Sequence, residues 1–401
     1  VIGITTTAKT EIQINTNKKN LFFEYPIDTV IIDEISKSST PEILARIILS
    51  KKVIFAGDYM QLPPASDIDD STIEKILINE NLAKDIVKIF GNNSYDDSKK
   101  EDLHNYLKKE FEKLFKNSFF KNQVQKIKNS YEKNYKSYEF LNIQHRFNKS
   151  IMELVNINYD YKEKLKMPEN QKEFKKYSFD LMGTNYESYD VVSIDTTNLI
   201  EEYINKFKNK GLKNLTKISF DQSLPILYEK FNQKSGGQFN EYNAEVVLKI
   251  CKSFLDKHSK EELKNKIGII CLSNNQKNLI KHIINANESF SELKDLKIKI
   301  DTIDNFQGRE KEIIIVDFVR SLGKLNENNK FVNYENEKRN LDFISSIERN
   351  NVALSRAKNK LILIGSFNYY INSKSGSKIT DLAKQYVEKS KYINFKQMKG
   401  E

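Results

Sequence analysis

The sequence TVIIDE at residues 29–34 decides the fold of this chain, together with VIFAGDYMQLPP at residues 53–64. Each is a short apolar run that ends abruptly in acidic or polar side chains, which is typical of a strand buried on both faces of a parallel sheet. In open α/β sheets the functional groups lie at the carboxyl ends of the strands. We therefore expect Asp33, Glu34 and residues 58–61 to face one crevice. The alternative is that these acids are the solvated ends of ordinary strands.

The length, charge and cysteine content of the chain indicate its domain number, its kind of partner and its location. A chain of 401 residues is long enough for two or three domains, and its formal net charge of +10 favours a polyanionic partner. No apolar run reaches the length of a membrane span, so we expect no membrane association. Cys251 and Cys271 are the only cysteines in the sequence. We expect both in the core, and the protein inside the cell, in the cytoplasm or in the nucleus of a eukaryote.

Alternating strand and helix patterns predict parallel sheets in both halves of the chain. Thr40 followed by Pro41 predicts the start of a helix that runs to about residue 49, between the two strands quoted above. From about residue 66 to 140 only helical periodicity is visible, which predicts a helical insertion. Its aromatic residues either pack inward or form a basic surface for nucleic acid. Later strands and helices are predicted at residues 191–194, 244–255, 267–271, 275–284, 313–316 and 361–364, with a loop at about 321–346 and a helix at 379–387.

Five short motifs carry side chains suited to phosphate chemistry: DE at 33–34, GDYMQLPP at 57–64, QHR at 144–146, DNFQGRE at 304–310 and NVALSRAK at 351–358. In kind and order they resemble the motifs of superfamily 1 helicases, over residues 1 to about 366 apart from the insertion. The resemblance implies an α/β protein with two RecA-like parallel-sheet domains, the first one truncated at its N-terminus. The domains are expected at residues 1–140, with the insertion at about 66–140, and at residues 141–372, followed by a helical and basic tail at 373–401.

The resemblance also implies ATP hydrolysis with Mg²⁺ between the two domains, coupled to 5′ to 3′ movement along single-stranded DNA or RNA. Asp33 would coordinate the Mg²⁺ ion, and Glu34 would deprotonate the attacking water. Gln61 would sense the γ-phosphate. Arg146 and Arg356 would stabilise the charge that spreads over the transferring phosphoryl group.

Further contacts follow from the same resemblance. Gly308 would permit close approach of the backbone to phosphate, and Glu310 would meet the nucleotide sugar. Gln276 would contact the nucleotide, although a role in capping a helix start competes with that one. The residues expected to touch nucleic acid are Thr5, Thr6, Pro63, Thr302 and Asn305.

The P-loop pattern of superfamily 1 ATPases is absent from the sequence. We therefore expect the phosphate-binding loop to precede Val1 in a longer parent protein, which would supply further domains as partners. On this expectation the 401 residues alone hydrolyse little ATP. The alternatives are an inactive nucleic-acid-binding or scaffold protein that keeps the helicase fold, and a P-loop nucleotidase unrelated to nucleic acid. No oligomer is implied.

Overall fold

The computed structural model divides into two compact units, Val1–Glu139 and Phe140–Glu401. Thr5 and Thr6 lie outside the residues that the structure describes. The described residues are 11–14, 17–20, 27–48, 50–64, 85, 100–129, 137–159, 164–171, 173–181, 183–197, 229–232, 237–321, 323–325, 331–333, 341, 344–373 and 378–394.

Unit 1 contains a parallel strand–helix–strand segment, as the sequence predicts. Its elements are β1 Glu11–Ile14, β2 Asn17–Asn20, β3 Ile27–Ile32, α1 Thr40–Ile47, β4 Ser50–Phe55, α2 Lys100–Phe111 and α3 Phe119–Asn129. Strands β3 and β4 pair in parallel, with Ile32 opposite Phe55. The N-cap of α1 is Ser39 and not Thr40, because the Ser39 N–H donates to the Glu42 carboxylate in a capping box.

Strands β3 and β4 are more exposed than predicted. Ile32 is 5% exposed, but Ile31 is 67% and Ile54 is 52% exposed. In the described part of unit 1 these two strands pair only with each other, and one face packs against Ile35, Ile43 and other apolar side chains. The prediction that both strands are buried on both faces is therefore wrong for the described residues.

The helical insertion packs against the buried face of β3 and β4. Phe120 and Val124 of α3 belong to the same core cluster as Ile32. The Phe119 ring meets the Phe55 ring edge-on, with ring centroids 5.9 Å apart. For these described residues the structure favours the first alternative, in which the aromatic side chains pack inward.

Unit 2 is built around a six-stranded sheet in which every pairing is parallel. Its elements are α4 Lys149–Val155, β5 Asp180–Leu181, β6 Thr184–Asn185, β7 Val191–Asp195, β8 Glu229–Asn232, β9 Gly237–Asn240, α5 Glu241–Lys257, α6 Lys260–Leu263, β10 Ile267–Cys271, α7 Asn274–Ala286, β11 Lys299–Thr302, α8 Ile303–Phe306, β12 Lys311–Asp317, β13 Gly323–Leu325, β14 Phe331–Asn333, α9 Ile347–Leu354, β15 Ala357–Gly365, α10 Phe367–Asn372, α11 Ile379–Glu388 and β16 Lys391–Asn394. The sheet order is β11-β10-β12-β15-β7-β16. This mixed α/β unit is a RecA-like domain, as the sequence predicts.

The central strands are apolar because helices cover them, so strands such as β10 are buried along their whole length. Cys251 and Cys271 are both buried here, as expected. Two further features differ from the sequence prediction. Strand β16 pairs with β7, so the tail beyond residue 372 contributes an edge strand to the sheet. Strands β13 and β14 lie within the predicted loop 321–346, most of which is outside the described residues. Among the helices that the structure describes, none is both long and apolar enough to cross a bilayer.

Lys360 carries an ammonium group into the interior of unit 2. Its Nζ donates to the carbonyl oxygen of Tyr177 at 2.6 Å and to that of Tyr186, and it lies 5.3 Å from the centre of the Phe179 ring. Burial lowers the pKa of Lys360 to about 8, against the opposing effect of the Asp190 charge. The lysine thus fastens the segment before β7 to strand β15.

We expect Lys360→Met to lower the free energy of unfolding by about 1–3 kcal/mol, because two buried carbonyl groups would lose their donor. Urea denaturation measures the change, and Lys252→Met on an exposed part of α5 is the matched control. The folded-state pKa of about 8 lies below the ordinary value of 10.5, so the unfolded chain binds more protons between these pH values. The native protein should therefore gain stability as the pH rises through this range. The Lys360→Met variant should lack this gain, and an equal pH slope in both proteins would contradict the assignment.

Candidate functional site

The loops that follow β3 and β4 are joined by main-chain hydrogen bonds. The Ala56 N–H donates to the Ile32 carbonyl at 2.8 Å, and the Ile35 N–H donates to the Ala56 carbonyl at 3.2 Å. Gly57 fits this contact because a Cβ there would lie 3.1 Å from the Ile35 side chain. The acidic pair after β3 therefore lies beside the Gly-Asp pair after β4.

Glu34 has an unusual backbone conformation. Its φ of 52° and ψ of 34° lie in the left-handed region, which costs energy for a residue other than glycine. The neighbouring carboxylate of Asp33 accepts the Glu34 N–H at 2.9 Å and helps to hold this conformation. Both acidic side chains are exposed at the strand end. Such strain is concentrated at functional sites, and here it presents two carboxylates to solvent together.

The donor set at this strand end fits Mg²⁺. This ion prefers oxygen ligands and is usually held by one or two carboxylates, with water and substrate phosphates completing the shell. Asp33 offers an exposed carboxylate, and Asp58 lies after the paired strand. Nowhere in the described ranges do three or more His, Cys, Asp or Glu side chains form a potential metal cluster. The carboxylates of Asp33 and Asp58, which follow paired strands, suit a metal that is shared with a bound phosphate.

Asp58 organises the loop that carries Gln61. Its carboxylate accepts the Met60 N–H at 2.9 Å, and its carbonyl accepts the Gln61 N–H at 3.0 Å. The Gln61 amide also donates to the Asp58 carboxylate at 3.4 Å. Leu62 is buried while Pro63 is exposed, so the loop is anchored from within and presents Pro63 outward.

A group of charged side chains converges on Glu310 in unit 2. Arg146 Nε lies 3.0 Å from one carboxylate oxygen of Glu310, and Lys358 Nζ lies 2.5 Å from the other. Burial acts to raise the pKa of Glu310, but the Lys358 hydrogen bond and the charges of Lys358, Arg146 and Arg356 bring it below its ordinary value. Three cations around one carboxylate leave an excess of positive charge, which suits a phosphate-bearing ligand.

Two polar residues position Arg146 within this group, which we call the Glu310 cluster (Arg146, Glu310, Arg356 and Lys358). Gln144 accepts the Arg146 N–H at 2.9 Å. Asn148 caps helix α4, and its main-chain N–H donates to the Lys358 carbonyl at 3.1 Å. The loop that carries Arg146 is therefore fixed directly to the start of β15.

Arg356 is almost completely buried. Its Nε donates to the Val352 carbonyl at 3.1 Å and its Nη2 donates to the Ser355 hydroxyl at 3.1 Å. These contacts fix the guanidinium group on the helix end that precedes β15. A pocket of about 480 Å³, with walls that include Met167 and Phe174, adjoins the cluster at Arg146 and Lys358. Most of its lining residues are polar or charged, and Met167, Pro168 and Phe174 form the apolar part of the wall.

Gly308 lies in the segment that leads into this cluster. Its φ is +77°, and no atom lies within 4 Å of the position that a Cβ would take. The glycine is thus required for its backbone conformation and not for a close packing contact. That conformation turns the chain from α8 toward Glu310 and β12.

A second concave surface lies at the carboxyl ends of β10 and β11, where ligands bind in open α/β sheets. We call it the strand-end cleft; its volume is about 520 Å³, and its lining includes Thr302 and Asn305. Asp301 orients both, because its carboxylate accepts the Thr302 N–H at 3.1 Å and the Asn305 side-chain amide at 2.9 Å. Burial opposes ionisation of Asp301, but hydrogen bonds from Lys299, Asn305 and the Thr302 N–H hold its pKa well below the usual range.

Three basic side chains of the strand-end cleft were not identified from the sequence. They are Lys277 on α7, Arg320 after β12 and Arg349 on α9. They come from three separate elements, so no short motif contains them. Lys277 lies in the predicted helix 275–284 and Arg320 follows the predicted strand 313–316, but neither position distinguishes them from other basic residues of the chain.

Gln276, expected to contact a nucleotide, is completely buried. Its Oε1 accepts the Asn240 N–H at 2.7 Å, and its Nε2 donates to the Asn240 carbonyl at 2.8 Å and to the Asp317 carboxylate at 2.6 Å. The amide is thus engaged by the protein itself. This burial does not fit a direct nucleotide contact, and it does not fit a simple cap at the start of α7.

Comparisons with known proteins match two stretches of the chain to protein-family models. A family model described as an AAA domain matches residues 115–368, and a second model of the same description matches residues 12–66. Together they include the strand ends of unit 1 and all strands of the unit 2 sheet except β16.

Several curated proteins are similar along most of the chain. An uncharacterized ATP-dependent helicase of Methanocaldococcus jannaschii is 26% identical, over 92% of this chain and 40% of its own length. The DNA polymerase alpha-associated DNA helicase A of Saccharomyces cerevisiae is 25% identical, over 92% of this chain and 42% of its own length. A DNA replication ATP-dependent helicase/nuclease of Xenopus laevis is 23% identical, over 86% of this chain and 25% of its own length. The chain thus spans less than half of each of these relatives.

Proposed function

Because the chain belongs to the AAA-domain family whose model matches residues 115–368, and is similar to proteins named as ATP-dependent helicases, we propose that it acts in an ATP-driven helicase or translocase of superfamily 1. Its substrate is single-stranded DNA or RNA, and movement runs 5′ to 3′. The nucleotide is bound as the Mg²⁺ complex of ATP, and residues of both units take part in its hydrolysis.

In this proposal the bound Mg²⁺–ATP complex supplies the phosphoryl group and neutralises part of its charge. Asp33 holds the metal, and Glu34 accepts a proton from the attacking water. Gln61, fixed by Asp58, contacts the γ-phosphate end of the nucleotide. The strained backbone of Glu34 and the exposure of both carboxylates support these roles.

The Glu310 cluster provides the guanidinium groups of the same reaction. Arg356 is held in place by main-chain and hydroxyl acceptors, which leaves it preorganised for a developing negative charge. Arg146 must exchange its partner, because its Nε is paired with Glu310 at 3.0 Å. Glu310 is then available for a sugar hydroxyl of the nucleotide. Gly308 gives the preceding segment the backbone turn that this approach requires.

The observation that carries the nucleic-acid part of the proposal is the strand-end cleft. It combines Thr302 and Asn305, oriented by Asp301, with the basic side chains of Lys277, Arg320 and Arg349. Hydroxyl, amide and cationic groups of this kind bind the phosphates and sugars of a strand without reading its sequence. Pro63 of unit 1, together with Thr5 and Thr6, would contact the same strand.

We expect the 401-residue chain to bind a fluorescein-labelled oligothymidylate or oligouridylate with a steep dependence on salt. Three cationic contacts to a single strand predict a slope of about −2 in a plot of log K against log salt concentration. Fluorescence anisotropy at several KCl concentrations measures the slope. Lys277→Ala should make it shallower by about 0.7, while Lys252→Ala, on an exposed part of α5, should leave it unchanged. A flat response of the wild-type chain to salt would rule out the strand-end cleft as a binding site for the single strand.

A further inference from the structure

Val319 adopts a backbone conformation that a β-branched residue rarely takes. Its φ is +63°, and its side chain is buried. The Arg320 N–H donates to the Phe318 carbonyl at 2.5 Å across it, which makes the segment a γ-turn with positive φ, a rare and strained form. Strain of this kind persists only where the surrounding structure imposes it.

The polar backbone groups on both sides of the turn are held from outside it. The Val319 N–H donates to the Asp317 carboxylate at 2.9 Å, and the Val319 carbonyl accepts from the Asn240 side chain at 3.3 Å. The Tyr370 hydroxyl donates to the Arg320 carbonyl at 2.5 Å. Three separate elements, β9, β12 and α10, thus fix one strained residue and the arginine that follows it.

Asn240 and Asp317, which hold Val319, belong to a buried polar network. We call it the Asp317 network (Asn240, Asn243, Gln276 and Asp317). Asn243 donates its side-chain amide to one carboxylate oxygen of Asp317 at 2.9 Å, and Gln276 donates to the other at 2.6 Å. All four side chains are buried. Burial raises the pKa of Asp317 to about 6 although three donors face it, so the carboxylate is charged at neutral pH.

The orientation of Gln276 makes a carboxylate necessary at position 317. Its Oε1 is committed to the Asn240 main-chain N–H, so its Nε2 must face Asp317. The other Asp317 oxygen faces the Asn243 amide and the Val319 N–H, which are also donors. An asparagine in either orientation would place its own NH₂ group against a donor.

Arg320 directly follows Val319 in this turn. It lines the strand-end cleft together with Thr302 and Asn305. We propose that the Asp317 network positions Arg320 through the strained Val319 turn, and that the Arg320 guanidinium binds a backbone phosphate of the single strand in the cleft. This inference rests on the proposed function, since the strand-end cleft is the binding site proposed above for the single strand. Arg320 contacts the ligand, whereas Asp317, Gln276 and Val319 are positioning residues.

The first test removes the contact. Arg320→Ala should weaken binding of labelled oligothymidylate by about 10-fold, as expected for one charge-assisted contact, and should make the salt slope shallower by about 0.7. Lys252→Ala removes an equal charge from α5, nine residues or about 14 Å along the helix from Asn243, and should change neither quantity. An unchanged slope for Arg320→Ala would overturn the phosphate contact.

The second test separates positioning from stability. Asp317→Asn should weaken binding by about 10-fold, because in either orientation its NH₂ group opposes a donor, which displaces the turn and moves Arg320 out of the cleft. Adding Val319→Gly should restore affinity to within about threefold of the wild type, since glycine adopts positive φ without assistance. The midpoint of thermal unfolding should not recover, because the glycine also removes a buried side chain.

Two outcomes would contradict the positioning role: wild-type affinity in Asp317→Asn, or equally weak binding in Asp317→Asn with and without Val319→Gly. The proposed function is contradicted by a different result. If the wild-type chain binds no single strand, the strand-end cleft is not a binding site for nucleic acid. If it binds with a steep salt slope but Arg320→Ala has no effect, single-strand binding is supported and only the inference about Arg320 is contradicted.

Discussion

Glu34→Gln is expected to slow ATP hydrolysis by the complete gene product about 10²–10⁴-fold, the range that general-base catalysis supplies. The amide keeps the size of the side chain but has no lone pair basic enough to take a proton from water. Binding of ATP should persist, because Asp33 and the other phosphate contacts are unchanged. Steady-state turnover with saturating single strand measures the rate, and equilibrium binding of a fluorescent ATP analogue measures the affinity.

Asp28→Asn is the matched control for this substitution. Asp28 is an exposed carboxylate at the opposite end of the same strand, β3, and its change to an amide should leave turnover unaltered. Turnover within a factor of two of the wild type in Glu34→Gln would show that Glu34 is not the base. A parallel loss of ATP binding would instead indicate damage to the nucleotide site.

Arg356→Ala is expected to lower kcat about 10²–10³-fold, with a small change in the KM for ATP. The guanidinium group is oriented by Val352 and Ser355. Because it is almost completely buried, it must become accessible when the nucleotide binds in order to contact the transferring phosphoryl group. Its charge matters most in the transition state, where negative charge spreads over the phosphoryl oxygens. Single-turnover kinetics separates this chemical step from nucleotide binding.

Removal of a buried guanidinium group also affects folding, so the test includes two further proteins. Arg356→Lys keeps the charge but loses the planar fork, and should recover part of the rate. Arg309→Ala removes an exposed arginine from the neighbouring motif and should keep most of the activity. A rise in KM with unchanged kcat in Arg356→Ala would assign the arginine to ground-state binding and contradict its proposed role.

The sequence was sufficient to predict the elements that rest on local pattern. Apolar runs such as residues 267–271 predict central strands because helices cover both faces of a parallel sheet. The same reasoning failed for β3 and β4, since burial depends on how many strands lie beside them. Ile31 and Ile54 are exposed because, in the described residues, the two strands pair only with each other. Strand β16 was missed because four residues of mixed polarity carry little periodic signal.

The residues of the candidate site likewise include some that a sequence motif identifies and some that no motif identifies. Motif residues such as Arg146 and Glu310 could be found because they stand in recognisable strings, and the structure brings these two within 3.0 Å of each other. Asp317 and Val319 could not be found, because their part in the structure depends on hydrogen bonds to Asn240 and Asn243, more than seventy positions earlier in the chain. Long-range polar networks of this kind leave no spacing rule in a single sequence.

The central claim is that acids from unit 1 and guanidinium groups from unit 2 act on one nucleotide. A crystal structure of the complete gene product with Mg²⁺, ADP and aluminium fluoride tests it most directly. We expect the guanidinium groups of Arg146 and Arg356 within about 2.7–3.2 Å of the fluoride atoms, Asp33 and Glu34 around the metal and the attacking water, and Arg146 separated from Glu310. A structure in which Arg146 remains paired with Glu310, and neither arginine reaches the nucleotide held by Asp33, would contradict the account.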